Sequence, residues 1–295
     1  MTAPRPAGRL DRAGSAGTAP FTIRTPRIVA ARRLHRRRER DSARRFLVEG
    51  PQAVREALAT PGVVREVFTT VTGADRYGDL IAAATAAGIT VSPVTDEALA
   101  ALTDTVTPQG VVAVGVHLDV PLATALRRVP ALVAVLAEVR DPGNAGTILR
   151  TADAAGAAVV VFAGAAVDPY NGKCVRASAG SLFHVDVVRA ADPAGCLDTL
   201  RATGLRVLAA TGHGETDLDD LADAGALAAP TAWLFGTEAH GLPADLAARA
   251  DARVRVPLHG RAESLNLAAA AAVCLYTSAR AQRPGRAQRP GKPAR

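Results

Sequence analysis

The chain has 295 residues, 48% of them hydrophobic, which exceeds the usual size of one domain and is enough to bury a sizeable core or two. Lys and Arg outnumber Asp and Glu by 35 to 28, a formal charge of +7 that favours polyanionic partners. No apolar run approaches the ~20 residues of a membrane span, the three cysteines Cys174, Cys196 and Cys274 have no disulfide or metal-binding spacing, and aromatics at 3% are too few for RNA reading by base stacking.

Residues 1–22 are rich in Ala, Pro, Gly and Arg without an apolar signal core, so a disordered leader and a cytoplasmic protein are expected. Ten arginines then fall between Arg24 and Arg45 against only Glu39 and Asp41. Ile28 to Arg40 reads as one basic helix, and a polyanion such as nucleic acid is the expected partner of Arg32, Arg33, Arg36, Arg37 and Arg38 on it and of Arg44 and Arg45 just after it. A solvated basic helix without a partner is the plain alternative. Phe46 to Gly50 reads as a strand, Pro51 to Ala59 as a helix, Val63 to Thr69 as a strand and Tyr77 to Ala87 as a helix. A short strand around Ile89 to Val91, a helix over Asp96 to Leu102 and a buried strand over Gly110 to Val116 complete a small α/β unit, 23–118.

Residues 119–130, with Pro121 and Pro130, read as a linker, and a second unit spans 131–281. Ala131 to Leu136 is apolar without alternation, as in a parallel strand covered on both faces. Further strands are expected at Ala157 to Phe162, His184 to Val188, Leu205 to Ala210, Thr231 to Phe235 and Arg253 to Val256. Helices alternate with them at Ala145 to Ala155, Ala191 to Thr203, Leu242 to Ala248 and Leu267 to Arg280. This alternation predicts an α/β fold with a mostly parallel, doubly wound sheet, whose ligands bind beyond the carboxyl ends of the strands. Residues 282–295 read as a disordered basic tail.

Three segments at such strand ends carry polar groups suited to chemistry. In Glu138 to Arg150, Pro142 and Gly143 force a turn, Asn144 is placed to cap the following helix, and Arg150 lies two turns on, where Asp153 at i+3 is a surface partner. In Leu234 to Pro243, Gly236 and Gly241 bracket Glu238, either a helix-capping carboxylate or a ligand group. His240 has no spaced partner and reads as structural. In Val256 to Leu267, Ser264 and Asn266 are both good N-caps, and since one helix start needs only one, the other is free for a ligand.

Asn144-x-Gly146 with Arg150, Phe235-Gly236-x-Glu238-x-x-Gly241-Leu242 and Ser264-Leu265-Asn266 together resemble the three signature motifs of the SpoU (TrmH-type) branch of the SPOUT RNA methyltransferases, over about 130 to 280. The run Val175 to Ser181 followed by His184 resembles that family's loop before its third strand. Arg44 to Gly50, with Gln109-Gly110-Val111, resembles the ribosomal-protein-like substrate-binding domain that many members carry. The resemblance implies a C-terminal deep trefoil knot, S-adenosylmethionine as cofactor, a homodimer with the site completed across its interface, and no metal. It implies methylation of an RNA ribose 2'-hydroxyl, with ribosomal RNA, 23S above all, ahead of transfer RNA.

On that resemblance Thr211, Gly212, Leu234, Phe235, Gly236, Thr237, Glu238, Gly241, Val256, Pro257, Leu258, Ser264, Leu265 and Asn266 would hold the cofactor, largely through backbone groups. Arg150 would engage the 2'-hydroxyl; a guanidinium is a poor base at neutral pH, which favours stabilisation of the forming alkoxide, with outright removal of the proton as the alternative. Asn144, Glu238, Ser264 and Asn266 would orient arginine and ribose. Two rivals are a non-catalytic RNA-binding protein of this fold and a base methyltransferase. A third, a dinucleotide-dependent dehydrogenase read from Thr211-Gly212-His213-Gly214, lacks the third glycine and falls late in the sheet.

Overall fold

A computed structural model describes residues 19–238 and 240–283, so the leader up to residue 18 and the tail from residue 284 lie outside the described residues. Residues 19–22 do not continue the expected leader. Phe21 forms a parallel bridge with Val94 and donates its amide to Pro93 O at 2.8 Å.

The first unit runs α1 (Pro26–Arg33), α2 (Arg37–Ala43), β1 (Arg45–Glu49), α3 (Pro51–Ala59), β2 (Val64–Thr69), α4 (Val71–Arg76), α5 (Gly78–Ala86), β3 (Thr90–Pro93), α6 (Asp96–Ala100) and β4 (Val111–Val116). Its four strands lie in the order β1-β4-β2-β3, with β4 antiparallel to both neighbours. A short α7 (Leu122–Ala125) leads to the second unit. There follow β5 (Leu132–Ala137), α8 (Pro142–Ala155), β6 (Val159–Ala163), α9 (Gly172–Ser178), β7 (Asp186–Ala190), α10 (Pro193–Ala202) and β8 (Arg206–Ala210). The chain closes with β9 (Thr216–Asp217), α11 (Leu218–Asp223), β10 (Thr231–Phe235), α12 (Ala244–Ala247), β11 (Ala252–Arg255) and α13 (Leu267–Ala281).

The second sheet is parallel throughout, in the order β7-β6-β5-β10-β8-β11-β9. Alternate residues of its strands feed two cores, as doubly wound packing requires. Leu132, Ala134 and Leu136 of β5 join Trp233 and Phe235 of β10 in a core with Ile148 of α8, Cys174 of α9 and Leu275 of α13. Val133, Val135, Ala232 and Leu234 face the other way, onto Leu197 and Leu200 of α10. Trp233 Nε1 donates to Ser278 Oγ at 2.8 Å, a buried bond that ties α13 to the sheet. All three cysteines are buried and unpaired, and burial pushes the thiols of Cys196 and Cys274 up to about 12.

The basic helix expected over Ile28 to Arg40 is two helices. The chain is extended at Arg36 (φ −92°, ψ 129°) because Arg40 turns inward. Its guanidinium donates to Leu34 O and His35 O, both at 2.8 Å, satisfying carbonyls at the end of α1, and pairs with Asp168 of the second unit at 2.7 Å. Both side chains of this pair are more than nine-tenths buried. Other differences are local. His184 ends a 3-10 turn rather than starting a strand, α12 is shorter than the helix expected over Leu242 to Ala248, and the turn-rich stretches at Thr216–Asp223 and Gly172–Ser178 hold elements with too little apolar pattern to reveal them.

Candidate active site

The three polar segments meet at the carboxyl ends of β5 and β10. After β5, Glu138 takes a left-handed conformation (φ 58°) and the chain turns into α8. Asp141, not Asn144, caps that helix: its Oδ1 accepts from Asn144 N at 2.7 Å, and Pro142 occupies the first turn. Asn144 therefore sits inside the first turn with its side chain free. It donates through Nδ2 to Glu238 Oε1 and accepts at Oδ1 from Asn266 Nδ2 at 3.2 Å.

Glu238 does not cap a helix either, since α12 begins only at Ala244. It stands in a tight turn closed by paired backbone bonds between Thr237 and Gly241, each 2.9 Å, with Gly241 at φ 65°. A Cβ on Gly236 would run into the Gly241 carbonyl, so the turn closes only with glycine there. Asn266 is the cap of α13: its Oδ1 accepts from Ala268 N at 2.9 Å and Ala269 N at 3.3 Å, which leaves its Nδ2 for Asn144. Ser264 is exposed and free of the capping role.

Arg150 is not part of this cluster. It lies six residues after Asn144 on α8, about 9 Å along the axis and on another face, and is exposed. The expected partner Asp153 instead binds His184 Nδ1 at 2.8 Å, and His184 Nε2 lies 3.2 Å from Glu56 of α3. These two carboxylates hold the His184 imidazole above its ordinary value. His240, expected to be structural, is exposed.

Beside the cluster, Val256, Pro257, Leu258, Leu265 and Val273 wall a cavity of about 430 Å³ that also takes in Asp219 and His259. Its apolar walls and single carboxylate suit a nucleoside in size and kind, so the residues present fit S-adenosylmethionine. Of the expected cofactor residues, Val256, Pro257, Leu258 and Leu265 line this cavity. Leu234 and Phe235 are fully buried within β10 and offer only backbone. Thr211 and Gly212, after β8, are partly and fully exposed and are not among the lining residues. Asp141 and Asp219 were missed by sequence reasoning. An Asp-Pro pair before a helix was a usable signal for the first, whereas Asp219 belongs to the unpatterned stretch after β8.

Among the expected RNA contacts, Arg32, Arg33, Arg36, Arg38 and Arg45 are exposed. Arg37 pairs with Asp41 at 3.6 Å and Arg44 with Asp119 at 3.1 Å. Among the described residues there is no cluster of three or more His, Cys, Asp or Glu that could hold a metal, and no helix long and apolar enough to cross a membrane.

Residues 131–276 match the SpoU rRNA Methylase family, and residues 25–113 match the MRM3-like substrate binding domain. The chain is 37% identical over 245 residues to the 23S rRNA (guanosine(2553)-2'-O)-methyltransferase RlmP of Bacillus subtilis (strain 168), covering 83% of this chain and 92% of that protein. The solved structure of the SpoU methyltransferase AviRb from Streptomyces viridochromogenes in complex with AdoMet is 30% identical, with a TM-score of 0.77 over 89% of this chain and 100% of that one. The AdoMet-bound rRNA methyltransferase from Sinorhizobium meliloti is 31% identical, with a TM-score of 0.75 over 88% of this chain and 97% of that one. The arrangement of three motif segments around one strand-end cluster and the extent of these matches lead to the same conclusion: the chain belongs to the SpoU rRNA methylase family.

Proposed function

We propose that this protein methylates a ribose 2'-hydroxyl of 23S ribosomal RNA using S-adenosylmethionine. The observation that carries the reading is the Asn144, Glu238 and Asn266 cluster, drawn from three separate strand-end segments and lying beside a nucleoside-sized cavity. The fold brings polar groups 94 and 122 residues from Asn144 in sequence together at the carboxyl ends of parallel strands, where ligands of such sheets bind. The relatives' names, 23S rRNA 2'-O-methyltransferases among them, support the substrate.

S-adenosylmethionine, when bound, supplies a methyl on a positive sulfur, already activated for in-line displacement. The protein's part is to hold the ribose in line and favour the alkoxide form of its hydroxyl. Asn144, Glu238, Asn266 and Ser264 orient the ribose, and Arg150 stabilises the developing negative charge. Because Arg150 faces away from the cluster of its own chain, the site is completed by a second copy, with Arg150 of one protomer serving the cluster of its partner. Tyr276, 49% accessible on α13 beside α8, lies on a face open to that pairing. RNA is captured by the unit spanning 23–118 through its exposed arginines.

The same reading includes a knotted carboxyl-terminal segment. β11 lies beyond β8, while α13 begins against Asn144 at the head of α8, so residues 256–266 cross back over the ends of β8 and β10. In the proposed knot, this crossing passes through the loop that joins β8 to β10.

The test is transfer of labelled methyl to total RNA lacking the modification, comparing wild type with Asn144→Ala. Label in an alkali-resistant dinucleotide of 23S RNA, reduced about 100-fold in the variant, is expected. Label in a base, or in transfer RNA alone, overturns the reaction or the substrate.

A further inference from the structure

A strip of side chains links the basic helices to the cluster. His35, between α1 and α2, lies 3.3 Å from Asp104 through Nδ1 and 3.2 Å from Ala101 O through Nε2. Asp104 approaches Arg176 at 3.9 Å and presses on Gly172, where a Cβ would come within 2.8 Å of its carboxylate. The next residue is Lys173. Its stem crosses Gly143, where a Cβ would lie 3.1 Å from Lys173 Cε, and its Nζ reaches Asp141 Oδ2 at 2.9 Å. The other oxygen of Asp141 is the one that holds Asn144.

An exposed ion pair is the plain reading, and such pairs contribute little. It leaves two features unaccounted for. The first is placement: a 14-residue helix with an aspartate cap has no need of a cation at its amino end, where the backbone dipole opposes one. The second is valence: Lys173 is 57% exposed and has three donors, of which Asp141 takes one. A cation held against a helix amino end, one residue from the first unit's contact and two bonds from Asn144, is suited to an anion brought by the substrate.

We propose that Lys173 is a substrate-positioning residue that holds an RNA phosphate flanking the target ribose, and that Asp141 aims it while fixing Asn144. This rests on the RNA methyltransferase reading above. RNA affinity of the full-length protein is measured against salt concentration for wild type, Lys173→Ala and Lys173→Arg, alongside methyl transfer and thermal stability.

The alanine variant is expected to weaken RNA binding about tenfold and to reduce the slope of log affinity against log salt by about 0.7–0.9, one phosphate contact. Arginine should restore most of both, with cofactor affinity and melting temperature near wild type. An unchanged slope, or a fall in melting temperature that accounts for the whole loss, overturns the assignment and leaves Lys173 as a helix-end ion pair. Absence of methyl transfer by wild type would instead sink the functional reading, and the binding slope would still decide the role of Lys173.

Discussion

His184 and His117 both lie where the two units meet, and they respond to protons with opposite sign. His184 bridges Asp153 of α8 and Glu56 of α3, so its folded-state pKa is raised. Its contribution to stability is fully present below the ordinary histidine value of about 6.5 and is lost as pH rises through the raised folded value. His117 is enclosed, with a side-chain accessibility of 0%, and stacks on Tyr170 at 4.0 Å between ring centroids. Neither ring nitrogen has a hydrogen-bond partner among the described residues, and Asp119 lies 3.7 Å from Nδ1, too far to serve as one. Burial, then Arg189 and Arg44, lower its pKa, against weaker opposition from Asp119 and Asp168. Protonation therefore costs stability as pH falls from about 6.5 through the lowered folded value. His184→Gln is expected to lower the melting temperature more at pH 6 than at pH 8.5. His117→Phe, which keeps the stack, should gain on wild type as pH falls. Parallel shifts of either variant at both pH values would remove the ionic account of that residue.

The crossing of α8 and α9 shows a motif residue acting through packing. A Cβ on Gly146 would collide with Cys174 O and come within 2.7 Å of Ala177 Cβ, so the glycine two residues after Asn144 is what lets α9 lie across α8. Because the obstacle is backbone, it cannot swing aside. Gly146→Ala should cost about 1–3 kcal/mol, read as a lower denaturant midpoint, and a midpoint equal to wild type would show that α9 can move away freely. Elements of this kind were legible to different degrees. The strands of the second sheet stood out because Leu132–Ala137, Val159–Ala163 and Thr231–Phe235 are short apolar runs without alternation. The three motif segments were legible too, but their internal roles were not. Asn144, Glu238 and Asn266 each looked like a helix cap, and only the fold shows that Asp141 takes that role for α8, that Glu238 precedes no helix, and that Asn266 both caps α13 and reaches Asn144. The break in the basic helix was hidden for the same reason. Its cause, Asp168, is 128 residues from Arg40, and no local pattern carries that information.

At the scale of the whole molecule, the two units are joined by buried polar contacts as well as apolar ones. Besides Arg40 and Asp168, the Tyr170 hydroxyl accepts from the amides of Leu118 and Asp119 at 2.6 and 2.7 Å and donates to Asp119 Oδ1 at 2.9 Å. Breaking one partner of a pair buried as deeply as Arg40 and Asp168 costs about 3–5 kcal/mol, so the exposed arginines of the first unit are held at a fixed distance from the cluster of the second. Within one chain that cluster includes Asn144 but not Arg150, and this separation makes the proposed pairing of two copies testable. If Arg150 of one protomer serves its partner, a heterodimer of Arg150→Ala and Asn144→Ala chains has one site with both changes and one with neither. Random mixing of the two inactive proteins makes about half the dimers mixed, each with one intact site. Activity should then recover to about a quarter of wild type after co-refolding or subunit exchange, at a protein concentration where sedimentation shows dimers. If Arg150 works within its own chain, every site in the mixture carries one lesion and no activity returns, which would overturn the shared site while leaving the family membership intact.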